Sequence, residues 1–115
     1  MFVKICGVTT TGDAELAASL GVSAVGMIFA ASPRRVTHAA ARAIAAALPA
    51  ATLSVGVFRN EHRDRVAEIV DAVGLRAVQL HGQEPPEDAA WLAERVPVVI
   101  KVFSTADPAL AHADL

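Results

Sequence analysis

The segment Met1-Phe-Val-Lys-Ile-Cys-Gly-Val-Thr-Thr10 decides the fold, because a short apolar strand runs directly into a glycine turn. Thr10 or Thr11 is the predicted N-cap of a helix over Asp13–Leu20. A strand, a tight turn and a helix make up the repeating part of a βα fold. Cys6, the only cysteine, stands at the carboxyl end of the strand, where such folds place reacting groups.

The same pattern continues along the whole chain. Apolar, β-branched runs begin at residues 2, 24, 53, 77 and 98, which is a regular pitch of one βα unit each. The runs are almost continuously apolar, as is typical of strands buried on both faces of a parallel sheet. The predicted strands are Phe2–Cys6, Ala24–Phe29, Leu53–Phe58, Ala77–Leu80 and Val98–Val102.

Three further helices are predicted from capping residues and prolines between these strands. Serine, threonine and asparagine side chains cap helices, and proline is tolerated in a first turn. The predicted helices are His38–Leu48 with Thr37 as N-cap, Glu61–Val73 with Asn60 as N-cap, and Pro86–Arg95 after Pro85.

Five consecutive βα units fit either an open doubly wound sheet or the first five eighths of a closed (β/α)₈ barrel. The segment Gly7-Val-Thr-Thr-Thr-Gly12 lacks the glycine pattern that cradles a pyrophosphate in the doubly wound proteins, so we favour the barrel. A closed barrel takes about 200 residues or more. We therefore predict that residues 1–115 form one α/β domain, an incomplete TIM barrel, with a fifth helix starting within Phe103–Leu115.

Composition excludes several classes of protein. The net charge of −2 does not indicate a basic surface for nucleic acid, and a hydrophobic residue content of 54% is typical of a globular protein. No apolar run reaches the roughly 20 residues that span a bilayer, so we expect no membrane segment. A single cysteine is consistent with a cytoplasmic protein. We expect no metal site, because the histidines are scattered along the chain: His38, His62, His81 and His112.

Polar residues interrupt the interior faces of two predicted strands. Alternation along the first strand places Lys4 and Cys6 on one face, and in the fourth strand it places Gln79 and His81 together. Each would cost about 1–3 kcal/mol if buried without a partner. We therefore expect either a polar network or a ligand inside the barrel.

Simpler interpretations stay open for these residues. A cysteine in an apolar run is often a small core residue, and His81 fits a structural hydrogen bond as well as a ligand contact. The segment Ser32-Pro-Arg-Arg35 fits a solvated loop. It also fits a planar guanidinium fork for a carboxylate or a phosphate.

Four motifs in order resemble the phosphoribosylanthranilate isomerase family of tryptophan biosynthesis. Each motif is weak alone, but four in register over nearly the whole chain are specific. They are Lys4-Ile-Cys-Gly-Val-Thr9, Gly26-Met-Ile-Phe-Ala-Ala-Ser-Pro-Arg-Arg-Val36, Val55-Gly-Val-Phe-Arg-Asn60 and Val78-Gln-Leu-His-Gly-Gln-Glu84.

The resemblance implies a (β/α)₈ barrel and an acid–base Amadori rearrangement without a metal or organic cofactor. The substrate would be N-(5-phosphoribosyl)anthranilate and the product 1-(2-carboxyphenylamino)-1-deoxyribulose 5-phosphate. By motif match, Cys6 would be the general base and His81 would border the anthranilate. Arg35 would hold the anthranilate carboxylate, and Arg34 lies at the preceding position, where the family also has a basic residue. We count Lys4 and Gln79 among the substrate-binding residues because of their predicted interior placement.

The family's general acid is an aspartate at the end of the sixth strand, and its phosphate loops follow strands seven and eight. Residues 1–115 include none of these, and Asp107 and Asp114 belong to the predicted fifth helix. We therefore expect this chain by itself to be inactive. Its apolar sheet edges would favour self-association.

A non-catalytic half-barrel that assembles with itself or with another chain is the alternative from a different class. A pentulose-phosphate epimerase is a less favoured enzyme, because such sites use metal ligands that the sequence does not offer.

Overall fold

The computed structural model describes residues 1–103, in which five strands alternate with four helices. The strands at Leu53–Phe58 and Ala77–Leu80 match their predicted ranges, and the other elements differ by a few residues at their ends. The predicted fifth helix lies outside the described residues. The elements are β1 Lys4–Cys6, α1 Thr11–Ser19, β2 Ala24–Ile28, α2 His38–Ala47, β3 Leu53–Phe58, α3 Arg63–Val73, β4 Ala77–Leu80, α4 Pro86–Ala93 and β5 Val98–Lys101.

The strands form one parallel sheet in the order β1-β2-β3-β4-β5. A doubly wound sheet would reverse its strand order at a switch point, whereas a barrel adds each strand beside the previous one. The described strands show no reversal. The barrel interpretation of the sequence is therefore confirmed for the part of the fold that residues 1–103 contain.

The two faces of the sheet carry different residues. One face packs against all four helices and holds the main core, which includes Phe58 and Met27. The opposite face carries a smaller apolar cluster of Ala24, Val55 and Ala77. Helices on one face only are the arrangement of a barrel wall, so this second face is the barrel interior.

The sheet curls strongly across its interior face. The Lys4 ammonium on β1 donates a hydrogen bond to Oε1 of Gln79 on β4, three strands away. In a flat sheet these strands would lie about 14 Å apart. Curling brings their side chains together, and it confirms that alternation places Lys4 and Gln79 on one face.

Helix α3 begins later than predicted. Its N-cap is His62, whose Nδ1 accepts from the Asp64 amide at 3.3 Å, and the helix starts at Arg63 rather than at Glu61. The expected N-cap, Asn60, has φ of +54° and instead accepts from the Gln83 amide. The prediction was wrong here because Asn60 is bound to the neighbouring loop rather than to its own helix.

The first strand leaves apolar side chains at the surface. It begins at Lys4 rather than at Phe2, whose side chain is 61% exposed, and Ile5 is 38% exposed. Val98 on the opposite edge strand β5 is 37% exposed. Both outer strands of the sheet therefore present apolar groups.

Candidate active site

Cys6 ends β1 and is exposed at the carboxyl end of the sheet. The chain turns at Gly7, whose φ of +86° is a conformation that side chains other than glycine rarely adopt. The amides of Gly7 and Val8 both donate to the carbonyl of Gly26 on β2, at 3.0 and 3.1 Å. These bonds fix the loop that follows the thiol.

Arg34 lies directly over this turn. A Cβ atom added to Gly7 would stand 2.9 Å from Cδ and 3.2 Å from Nη1 of Arg34, so the guanidinium occupies the space that glycine leaves. Cys6 and Arg34 line one open cavity of about 300 Å³, together with Asp13 and apolar residues of β1 and α1. The structure thus brings a thiol and a guanidinium together at the carboxyl end of β1.

Arg35 lies in a different place. Its backbone forms a bridge with Ile28, and its side chain lines a separate cleft of about 350 Å³ near the amino ends of α2 and α3. His38 and Arg65 also line this cleft. The two adjacent arginines therefore occupy different cavities, and Arg34 is the one that shares a cavity with Cys6.

The other predicted site residues lie along β4. Gln79 is buried and accepts the hydrogen bond from Lys4, so these two residues satisfy each other inside the barrel. His81 is exposed just after β4, and its amide donates to the Phe58 carbonyl at 2.8 Å. Alternation from Gln79 places His81 on the interior side of the strand end.

A buried carboxylate, which sequence reasoning missed, connects the neighbouring loops. The Glu84 side chain is only 4% exposed, and its Oε1 accepts from the Gly82 amide at 2.9 Å and from Nζ of Lys101 at 2.8 Å. Its Oε2 accepts from the Asn60 amide at 2.8 Å. The only sequence signal was Lys101, a single charge in an otherwise apolar run.

The environment of Glu84 favours its charged form. Burial by itself raises the pKa of this carboxyl. Hydrogen bonds from Lys101, from the Asn60 amide and from its own amide, together with the charge of Lys101, outweigh burial and lower the pKa below the ordinary value of 4.5. Glu84 is therefore ionised at neutral pH and paired with Lys101.

A metal-ligand cluster and a membrane-spanning helix are both absent from residues 1–103. No group of three or more histidine, cysteine, aspartate or glutamate side chains in this part of the chain is arranged to hold a metal ion. No helix among the same residues is long and apolar enough to cross a membrane.

A parallel barrel wall with a thiol, a guanidinium and an imidazole at the carboxyl ends of its strands defines an enzyme of the β/α-barrel class. Residues 3–113 match the family model of N-(5'-phosphoribosyl)anthranilate (PRA) isomerase. The chain belongs to this family of enzymes, and the resemblance seen in its motifs is confirmed.

Individual relatives agree with this assignment. The N-(5'-phosphoribosyl)anthranilate isomerase of Gloeobacter violaceus is 46% identical over 103 residues, which are 89% of this chain and 46% of the relative. That of Moorella thermoacetica is 41% identical over 111 residues, 96% of this chain and 50% of the relative. The chain thus spans about half the length of these relatives.

Solved structures show the same relationship. The crystal structure of phosphoribosyl anthranilate isomerase from Thermus thermophilus superposes with a TM-score of 0.87 at 43% identity, covering 94% of this chain and 54% of that protein. A phosphoribosyl anthranilate isomerase in complex with reduced 1-(o-carboxyphenylamino)-1-deoxyribulose 5-phosphate also gives 0.87, at 40% identity and with 96% and 59% covered.

Proposed function

We propose that this chain supplies the first five βα units of a cytoplasmic enzyme of tryptophan biosynthesis. The enzyme isomerises N-(5-phosphoribosyl)anthranilate to 1-(2-carboxyphenylamino)-1-deoxyribulose 5-phosphate. The observation that carries the proposal is the placement of Cys6 beside Arg34 at the carboxyl end of β1, in a chain of this family. The related isomerase bound to a reduced product analogue supports the substrate class.

The reaction requires two proton transfers at the sugar. Opening the furanose ring needs a proton on the ring oxygen, and formation of the enolamine needs removal of the proton from C2′. Cys6 is the base for the second step, acting as the thiolate. The resemblance places the acid after the sixth strand, outside the five strands that residues 1–103 form.

The carboxylate of the anthranilate ring needs a fixed cation. The motif match points to Arg35, with Arg34 at the preceding basic position. Arg35 lies in the loop after β2, where its backbone forms a bridge with Ile28, and it lines the cleft near α2 and α3. A guanidinium can form two parallel hydrogen bonds to a carboxylate. We therefore assign the carboxylate contact to Arg35, with His81, Lys4 and Gln79 bordering the substrate.

Replacing each arginine by alanine separates these assignments. In a complete barrel that contains this chain, Arg35→Ala should lower kcat/KM by about 10–100-fold, the effect of losing a pair of charge-assisted hydrogen bonds. Arg34→Ala, the matched variant one residue away, should change kcat/KM by less than about threefold. Steady-state kinetics measure both variants. The reverse order of effects would make Arg34 the carboxylate ligand instead.

The proposed activity is tested by completing the barrel. Residues 1–103 joined to the carboxyl-terminal half of the Thermus thermophilus isomerase should convert the substrate to product, followed by chromatography of both compounds. This chain alone should be slower by about 10²–10⁴-fold or more, because the resemblance places the acid after a sixth strand and residues 1–103 form five strands. A folded chimera without isomerase activity would refute the proposed function, and equal turnover by the chain alone would refute its dependence on a second half.

One observation favours the alternative of a half-barrel assembly module. The outer strands β1 and β5 carry the exposed apolar residues Ile5 and Val98, and Phe2, just before β1, is exposed as well. Exposed apolar strand edges favour pairing with another chain. Sedimentation of the chain alone distinguishes the two functions. A stable oligomer that binds no substrate would support the module, whereas a species that gains activity on addition of a carboxyl-terminal half supports the enzyme.

A further inference from the structure

The loops after β3 and β4 are joined by hydrogen bonds that converge on one carboxylate. Oε2 of Glu84 accepts from the Asn60 amide at 2.8 Å, and Oε1 accepts from the Gly82 amide at 2.9 Å. In return, Oδ1 of Asn60 accepts from the Gln83 amide at 2.7 Å. Residues 82–84 are thus bound to the loop that follows the neighbouring strand.

Lys101 adds a third strand to this arrangement. Its ammonium donates to Oε1 of Glu84 at 2.8 Å and also to the Gly82 carbonyl. Both the amide and the carbonyl of Gly82 are therefore held by charged side chains. Lys101 is 14% exposed and Glu84 is 4% exposed, so water competes little for these bonds.

Space at Gly82 is equally restricted. A Cβ atom added there would lie 2.9 Å from the Asn60 nitrogen, so the two loops are in backbone contact. His81 immediately precedes this glycine, and its own amide donates to Phe58 on β3. The backbone is consequently fixed on both sides of His81, which is exposed just after β4 at the carboxyl end of the sheet.

We propose that Glu84, paired with Lys101, is a positioning residue that fixes the direction of His81 toward the substrate. The pair acts through the Gly82 peptide and touches no substrate. We call the group of Glu84, Lys101, Gly82 and Asn60 the loop clamp. The role of His81 in this inference rests on the proposed function, whereas the loop clamp is defined by hydrogen bonds between the loops alone.

Only a carboxylate can complete the loop clamp. Glutamine offers one acceptor oxygen, whereas Glu84 uses two. If the amide oxygen of glutamine faces Asn60, its NH₂ group faces the Gly82 amide and Lys101. In the opposite rotamer its NH₂ group faces the Asn60 amide. Glu84→Gln therefore keeps the size of the side chain and breaks the clamp in either orientation.

A double-mutant cycle tests the positioning role in the completed barrel. Glu84→Gln should lower kcat by up to about 10²-fold, because small displacements of a positioned group cost this much, with a smaller change in KM. In a variant that already carries His81→Ala, adding Glu84→Gln should lower kcat by less than about threefold, since the side chain that Glu84 positions is then absent. Equal losses in both backgrounds would overturn the proposal and leave Glu84 a structural residue.

Two further variants complete this experiment. Lys101→Met leaves the two amide bonds of Glu84 in place, so it should give a smaller loss of kcat that is also absent without His81. It serves as the test if Glu84→Gln does not fold. Glu68→Gln, an exposed change on α3, should leave kcat within about twofold of the wild-type barrel.

Hydrogen exchange of the chain as it stands tests the clamp without any reaction. Glu84→Gln should raise the exchange rates of the Asn60 and Gly82 amides by about tenfold or more relative to core strand amides. Unchanged rates at both amides would overturn the clamp. If instead the wild-type barrel shows no isomerisation, the proposed function fails, and the amide exchange alone then decides whether the clamp exists.

Discussion

Replacing Cys6 by alanine should lower kcat by about 10²–10⁴-fold in a barrel completed with a carboxyl-terminal half, because the reaction then loses the base that we propose for it. Cys6→Ser should be nearly as slow, since a hydroxyl is a far weaker base than a thiolate at neutral pH. Substrate affinity should change little, because we propose that Arg35, not Cys6, holds the substrate carboxylate. Single-turnover kinetics measure the chemical step separately from binding.

A control for Cys6 lies at the opposite end of the same unit. Ser19 is exposed at the last turn of α1, where its hydroxyl bonds to the Leu16 carbonyl, and Ser19→Ala should keep full activity. Because Cys6 is the only cysteine in residues 1–115, alkylation in a chimera whose second half lacks cysteine should inactivate the enzyme in proportion to its labelling. Full activity of Cys6→Ala would show that the base is another group.

The second large effect concerns stability. Glu84→Ala should lower the free energy of unfolding by about 3–5 kcal/mol, because it leaves the Lys101 charge without its partner in a largely buried place. It also leaves the Asn60 and Gly82 amides without acceptors. Urea unfolding followed by the fluorescence of Trp91, the only tryptophan, measures the change.

An exposed ion pair provides the comparison for Glu84. Arg65 and Glu68 lie 3.1 Å apart on α3 with side chains 50% and 67% exposed. Glu68→Ala should cost no more than about 0.5 kcal/mol. Similar urea midpoints for Glu84→Ala and Glu68→Ala would show that the buried Glu84 pair contributes no more to the free energy of unfolding than the exposed pair does.

Acid should act on the same carboxylate. The pKa of Glu84 is lowered in the folded state, so the folded protein binds this proton more weakly than the unfolded chain does. Its contribution to stability is fully present above about pH 4.5 and is lost as pH falls through the lower folded value. Urea midpoints of Glu84→Gln should therefore fall less steeply below pH 4.5 than those of the wild type.

Much of the fold could be predicted from the sequence, because its signals are local. Apolar runs such as Leu53–Phe58 mark buried parallel strands, and Thr37 marks the start of α2 through a hydrogen bond three residues away. From the sequence, a barrel was favoured over a doubly wound sheet only because the glycine pattern that cradles a pyrophosphate is absent after the first strand. The strand order of the structure then settled the choice. Asn60 is a case where local signals fail. Its side chain was expected to cap α3, but it instead accepts a hydrogen bond from the Gln83 amide in another loop.

The sequence by itself determined the order of the βα units and placed Cys6 at the end of the first strand, since short-range periodicity and capping control both. Tertiary structure alone decided which of two adjacent arginines shares the cavity of Cys6, because loop torsions turn neighbouring side chains into different cavities. It also decided the pairing of Glu84 with Lys101, 17 residues away. That contact exists only because parallel strands bring their carboxyl ends to one edge of the sheet.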